Sequence, residues 1–163
     1  MPEMNLDGID LNILRALQGD ARLTNVELAS RVGLSPSPCL RRVKRLEEEG
    51  YLAGSRAVLR RERIGLGLTV FLDLKVRQDA DMSAFYAQMA EMPEIIACHV
   101  VAGEYDFLLE VVVPDLAHYE RLLVERFLRL PVVRDLRSHV VLRNIKADGP
   151  LPLAHLAEPE CRP

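Results

Sequence analysis

Four cations, Arg41, Arg42, Lys44 and Arg45, fall within five consecutive positions, and residues 35–45 contain no acid. Guanidinium groups grip phosphates or guanine edges in bidentate fashion, and lysine adds a mobile point charge. Just upstream stand Ser35, Pro36, Ser37 and Pro38, small residues that let a flat or grooved surface come close. The whole stretch reads GLSPSPCLRRVKRLEEEG from Gly33 to Gly50. With Ser35 as N-cap, Pro36 and Pro38 take the first and third helical positions. There the N–H groups have no intrahelical partner, so proline loses nothing and pre-sets the backbone angle. At about 100° per residue, Leu40, Val43 and Leu46 share a core face. Ser37, Pro38, Arg41, Arg45 and Glu48 point the other way, flanked by Arg42 and Lys44. The candidate nucleic-acid contacts are therefore Ser35, Ser37, Pro38, Arg41, Arg42, Lys44 and Arg45. A charge cluster alone reads first as a solvated basic face, so the elements around it decide the matter.

Two short helices precede the cluster. Asp7 caps the first, which carries Ile9, Ile13, Ala16 and Leu17 on one face and ends at Gly19. Thr24-Asn25-Val26-Glu27 is a capping box, in which the hydroxyl accepts from the fourth residue's N–H and the carboxylate from the first's. The helix it starts buries Leu28 and Val32 and stops at Gly33, a residue suited to the left-handed conformation that ends helices. Three short helices, the last two joined by a tight glycine turn, form a helix-turn-helix. That context favours duplex DNA, whose major groove accepts one helix and meets the residues near its N-terminus. The segment from Gly50 to Leu59 is extended and reads as a small wing. The first domain is set at 1–59, with a linker over 60–67.

Beyond the linker the apolar period changes from 3.6 to 2. Leu68, Val70, Leu72, Leu74 and Val76 alternate with polar or outward positions, the pattern of a half-buried strand. Asp81 caps a helix through about Glu91, which Pro93 ends. IIACHVVA (95–102) and FLLEVVV (107–113) form a hairpin across Gly103-Glu104-Tyr105-Asp106. Leu116, Tyr119, Leu123 and Phe127 space a second helix, and HVVLRNI (139–145) is the last strand. The order β-α-β-β-α-β is the split arrangement of ferredoxin-like folds, so the chain is α+β, with its second domain at 68–148. The proline-rich segment 149–163 reads as a loosely ordered, flexible tail.

Composition narrows the classes. The 163 residues carry a net charge of -3, yet residues 1–63 hold 11 Lys/Arg against 9 Asp/Glu, or +2. A basic patch on an acidic protein suits local binding of a polyanion. No apolar run reaches membrane-spanning length, so no membrane partner and a cytoplasmic setting are expected. The three cysteines include no CxxC pair and the four histidines never fall three or four apart, so neither a metal site nor a cofactor is signalled. Cys39 reads as a small packing residue, with redox sensing as the alternative. Enzymatic signatures are missing: there is no phosphate-cradling GxxxxGK[ST], no catalytic triad context, and GLGL at 65–68 is too short for a dinucleotide loop. The remaining rival is a metabolite-sensing or oligomerisation module without sequence-specific DNA binding. Such a module has no use for four cations in residues 41–45.

LTNVELASRVGLSPSPCLRRVKRLEEEGYL, DLNILRALQGDARL before it and VAGEYDFLLEVVVPDLAHYERLL later together resemble the Lrp/AsnC family of transcription regulators. The likeness covers roughly residues 5–148, and SPSPCLRRV is its most specific element. It implies a C-terminal ligand-sensing domain, homodimers through the sheet domains, and octamers or larger rings. It also implies an amino acid or related metabolite as effector, bound between dimers. Carried over residue by residue, the effector site falls on Gly103, Glu104, Tyr105 and Asp106, with Leu116 and the stretch His139-Val140-Val141. In this reading Asp106 pairs with an ammonium group and loop amides meet a carboxylate. Gly103–Asp106 taken alone is also an ordinary turn. His139 departs from the tyrosine of the leucine-responsive branch, which bears on leucine as the effector.

Overall fold

The first helix is held by its own entrance. In the computed structural model, which describes residues 6–77, 82–147 and 149–156, α1 spans Gly8–Gly19. Asp7 Oδ1 accepts from the Asp10 N–H at 2.8 Å, and Asp10 Oδ2 accepts from the Asp7 N–H at 3.1 Å. This is a capping box built from two aspartates. Helix α2, Asn25–Arg31, has the expected Thr24–Glu27 box, with the Thr24 N–H donating to Glu27 at 2.8 Å. Gly33 then takes φ +72°, and the Leu34 N–H donates back to the Ala29 carbonyl at 2.9 Å. That left-handed step turns the chain into α3, Pro36–Glu48, with Pro36 at its first position. Ser35 sits at the N-cap, but its side chain makes no capping bond.

Ile13, Leu14, Leu28, Ala29, Cys39 and Leu46 form the buried core of this helical unit. Leu40 departs from the expected core face. It is 45 % exposed, and Cys39 takes the inward position beside Leu46 and half-buried Val43. Three residues per apolar turn did not define the angle finely enough to tell position 39 from 40. From Leu52 to Arg60 the chain forms neither helix nor strand, and Gly54 turns it at φ +112°, so the expected wing is not a strand pair.

The expected tail is arranged differently. The described residues 146–147 and 149–156 group with the helical unit. Gln18 accepts from the Leu151 N–H at 2.6 Å, and Leu153 packs against the helical core.

Residues Val58–Ile145 form the second unit. The expected linker contributes to it: residues 61–64 make a short 3-10 turn, and Arg61 reaches Thr69 at 3.2 Å and Glu110 at 2.8 Å. The elements follow as β1 (Leu68–Val76), α4 (Met82–Glu91), β2 (Ile95–Val100), β3 (Phe107–Val113), α5 (Leu116–Glu125) and β4 (Val133–Val140). The expected Asp81 cap lies outside the described residues. Sheet order is β2-β3-β1-β4, with every neighbouring pair antiparallel. Register sets Val70 opposite Val111, Leu72 opposite Leu109 and Leu74 opposite Phe107. These residues face Phe85 and Met89 of α4 and Tyr119 and Leu122 of α5 in one core. On the other face of β1, Phe71 is 37 % exposed.

The last strand is six residues earlier than the 139–145 expected. It pairs from Val76 with Val133 to Val70 with Val140 along β1, and Leu142 and Ile145 beyond it are exposed. β4 is an edge strand rich in charge (VRDLRSHV), so its alternation is faint and the apolar HVV beside it misleads. β2 likewise ends at Val100, short of the expected 102.

Candidate nucleic-acid interface and sensing loop

The sequence-predicted DNA contacts all lie on α3 or at its N-cap, and the structure divides their cations into two kinds. Arg41 and Lys44 are exposed, and among the described residues neither makes an ion pair or hydrogen bond. Ser35 and Ser37 are exposed beside them, and Pro38 is half-buried. Leu40, which the periodicity assigned inward, joins this outer surface.

Arg42 and Arg45 are engaged elsewhere. The Arg42 Nη1 donates to Asp7 Oδ2 at 2.7 Å and to Asp10 Oδ1 at 2.8 Å, while the Arg45 Nη2 donates to Asp10 Oδ2. Asp10 is fully buried, so these two guanidinium groups take the place that water would have around its side chain. Asp10 and Asp7 push the Arg42 guanidinium further above its ordinary range. The Asp10 backbone N–H, and then Arg42, hold the Asp7 carboxyl below its own. Sequence reasoning missed Asp10. The available signal was the spacing Asp7-x-x-Asp10, a capping box whose second member must face whatever packs on the first turn of α1. Cys39 is fully buried, and burial pushes its thiol up, which suits a packing residue.

The loop between β2 and β3 is tightly tied. Tyr105 is buried, and its hydroxyl donates to Asp135 at 3.1 Å. The guanidinium of Arg137 stands 5.0 Å from the centre of its ring and 4.0 Å from Glu104. Asp106 accepts from the Val76 N–H at 2.8 Å, where the register of β1 against β4 shifts, and its own N–H donates to the Leu74 carbonyl. Tyr105 and Asp106 therefore shape the loop from within, whereas Gly103 and Glu104 are exposed. Gly103 has no positive φ, and a Cβ there would meet nothing within 4 Å. Leu116 is 64 % exposed at the start of α5. His139 Nε2 lies 2.9 Å from Asp73 on the adjacent strand, with exposed Val140 and half-buried Val141 following. Sequence reasoning missed Asp73, Asp135 and Arg137, which only the strand register brings to these positions.

Residues 6–53 match the winged helix-turn-helix DNA-binding model, and residues 69–151 match the Lrp/AsnC ligand binding domain. The leucine-responsive regulatory protein of Salmonella typhimurium is 44% identical over 152 residues, 92% of this chain and 93% of that protein. The chain belongs to the Lrp/AsnC family. A leucine-responsive regulatory protein from Escherichia coli K12 is 43% identical over the same shares. A Neisseria meningitidis transcriptional regulator, solved as a complex with L-methionine, superposes with a TM-score of 0.90 at 41% identity, covering 93% of this chain and 99% of that one. An AsnC family transcriptional regulator from Agrobacterium tumefaciens does so at 0.87 and 33%, with the same coverage. As a member of the Lrp/AsnC family the protein is a helix-turn-helix DNA-binding transcriptional regulator with an amino-acid-responsive ligand-binding domain. Its α3 lies within the matched helix-turn-helix segment. Among the described residues no helix is long and apolar enough to cross a membrane.

Proposed function

We propose that the chain reads duplex DNA as a homodimer or a larger ring of dimers, and that a free amino acid at the β2–β3 loop alters its assembly or operator affinity. The observation that carries the DNA half is the free, outward pair Arg41 and Lys44 on a proline-led helix. Paired copies would set two such helices about one helical turn of DNA apart, or a multiple of it, on a pseudo-palindromic site. The sheet face that carries Phe71 and the Asp73–His139 pair is not covered by α4 or α5, which supports pairing of sheet units. A localisation with the nucleoid DNA, in the cytoplasm, accords with this role.

Gly103 supports the effector half. Neither backbone conformation nor packing within the chain requires glycine there. A turn alone does not explain it, and close approach of a ligand or a second copy does. With Glu104 exposed beside it and Asp106 at the loop's end, the loop combines anionic groups for an ammonium with backbone amides for a carboxylate. Leu116, His139, Val140 and Val141 complete the proposed set. The leucine-responsive relatives and the L-methionine complex point first to leucine and to methionine.

The test combines both halves. Thermal-shift screening of the twenty amino acids and their keto acids identifies ligands that raise the melting temperature by mass action. Each hit is then added to a titration of the chain against its best genomic fragment and a scrambled competitor, with sedimentation alongside. Preference for the genomic fragment, changed by one amino acid, is the expected result. Equal binding of fragment and scramble would remove the DNA reading. Ligand-independent assembly and affinity would remove the sensing half alone.

A further inference from the structure

Behind the recognition helix lies a carboxylate with almost no access to solvent. The Asp10 side chain is 1% exposed, while those of Arg42 and Arg45 are 27% and 38% exposed. One Asp10 oxygen accepts from Arg42, and the other accepts from Arg45 and from the Asp7 backbone N–H. The Arg42 Nη1 is shared with Asp7. The Arg45 Nε is buried without a hydrogen-bond partner, 3.9 Å from Glu49. Arg41 and Lys44, on the outer side of the same two turns, have no such partners.

A guanidinium already paired with a protein carboxylate brings little net positive charge to a phosphate, so it displaces few of the cations condensed on DNA. Withdrawing it would leave Asp10 charged and desolvated. Sequence-independent affinity comes chiefly from free cations on phosphates, and specificity is the difference between two affinities. We propose that Asp10 is a positioning residue that sets specificity. By holding Arg42 and Arg45 it withdraws half of the helix's cationic cluster from indiscriminate phosphate attraction, leaving Arg41 and Lys44 to meet the duplex. The proposal deepens the DNA-binding reading and rests on it. It also revises the simplest view of the cluster, in which all four cations face DNA alike.

Salt dependence separates the two pairs, because each phosphate contact contributes about -0.9 to the slope of log K against log salt. The probes are a mixed-sequence duplex and the duplex that the wild-type chain selects best from a random pool, both bound to the full chain. Arg41→Gln and Lys44→Gln should each flatten the slope by about 0.9 per protomer. Arg45→Gln and Arg42→Gln should leave it unchanged. Asp10→Asn keeps the shape of the side chain and releases its partners. It should steepen the slope by about 0.9 per protomer, the share of Arg45, since Asp7 still holds Arg42, and tighten mixed-sequence binding severalfold while narrowing the preference for the selected duplex. A merely structural Asp10 would instead weaken both probes with no steeper slope, and that result overturns the proposal. Where Asp10→Asn does not fold, Arg45→Gln against Arg41→Gln decides alone: equal flattening shows that both arginines meet phosphate. No binding of any duplex by the wild-type chain would show instead that the DNA reading has failed, taking the proposal with it.

Discussion

Residue identity on α3 and on the β2–β3 loop sorts side chains into those that hold the fold and those left for other molecules. Asp7, Asp10, Arg42 and Tyr105 are engaged within the chain, and Arg45 through its Nη2, whereas Arg41, Lys44 and Gly103 have no internal task. Gly103 gives the sharpest test of that division. Its backbone angle is one that any residue adopts, and an added Cβ meets open space. Gly103→Ala should therefore leave the melting temperature unchanged or raise it, by up to about 1 kcal/mol of stability through a less flexible unfolded chain. The amino-acid-induced thermal shift should shrink or vanish in the same variant. A loss of stability with the ligand response intact would return Gly103 to an ordinary turn role. The cations were legible in sequence as a cluster because their spacing alone marks one side of a helix. Their division into two pairs was not legible. It depends on Asp10, more than thirty residues upstream, and no local pattern says which arginine a distant buried carboxylate will take.

Elements were read from the sequence most reliably where a specific local device ends them. The Thr24–Glu27 box, the Asp7 cap and the proline entry of α3 are short-range bonds, so they carry over from sequence to structure nearly residue for residue. β4 was misplaced because an edge strand is fixed by pairing with β1 and carries only a weak pattern of its own. The turn between α2 and α3 shows what such a device contributes. Gly33 holds φ +72° with open space around it, so a substitution there is penalised through backbone conformation alone. Gly33→Val should cost about 1–2 kcal/mol, the penalty of a left-handed residue with a side chain. Gly33→Asn should cost less, since asparagine tolerates that region. Thr24→Ala, which removes one half of the capping box, should cost about 1 kcal/mol. Denaturant titration of the three variants checks the order. A Gly33→Val chain as stable as Gly33→Asn would mean that the turn relaxes to another conformation.

Across the whole molecule, acid and chain order test the helical unit in different ways. Asp7, Asp20, Glu27 and Asp115 all lie below their ordinary range, and in each the leading cause is a backbone N–H, of Asp10, Arg22, Thr24 and His118 respectively. Depressed native values mean that the unfolded chain binds more protons near its own carboxylate values, about 4. The stabilisation is complete above that point and is lost as pH falls through the lower native values. Three of the four groups lie in the helical unit, so melting temperature should be flat from about pH 7 to 5 and fall steadily below about 4. A flat profile to pH 3 would contradict those assignments. Chain order makes a separate demand, because the helical unit is completed by residues that follow the sheet unit. Gln18 exchanges two hydrogen bonds with Leu151, at 2.6 and 3.4 Å, and Leu153 packs against the core of Ile13, Leu28 and Leu46. Two partly exposed hydrogen bonds and one half-buried leucine, set against the entropy of ordering the segment, leave a net contribution of about 1 kcal/mol. Truncation after Ile145 should therefore lower the melting of the helical unit by about 4–8 °C, and the sheet unit should melt as before. Leu153→Ala in the full chain should reproduce part of the loss. DNA affinity of the truncated chain, measured well below its melting point, should match that of the full chain, because α3 and its aspartate clamp are intact. Unchanged melting would mean that residues beyond Ile145 contribute nothing to the unit they contact. Lost affinity at low temperature would mean that they support the recognition helix directly.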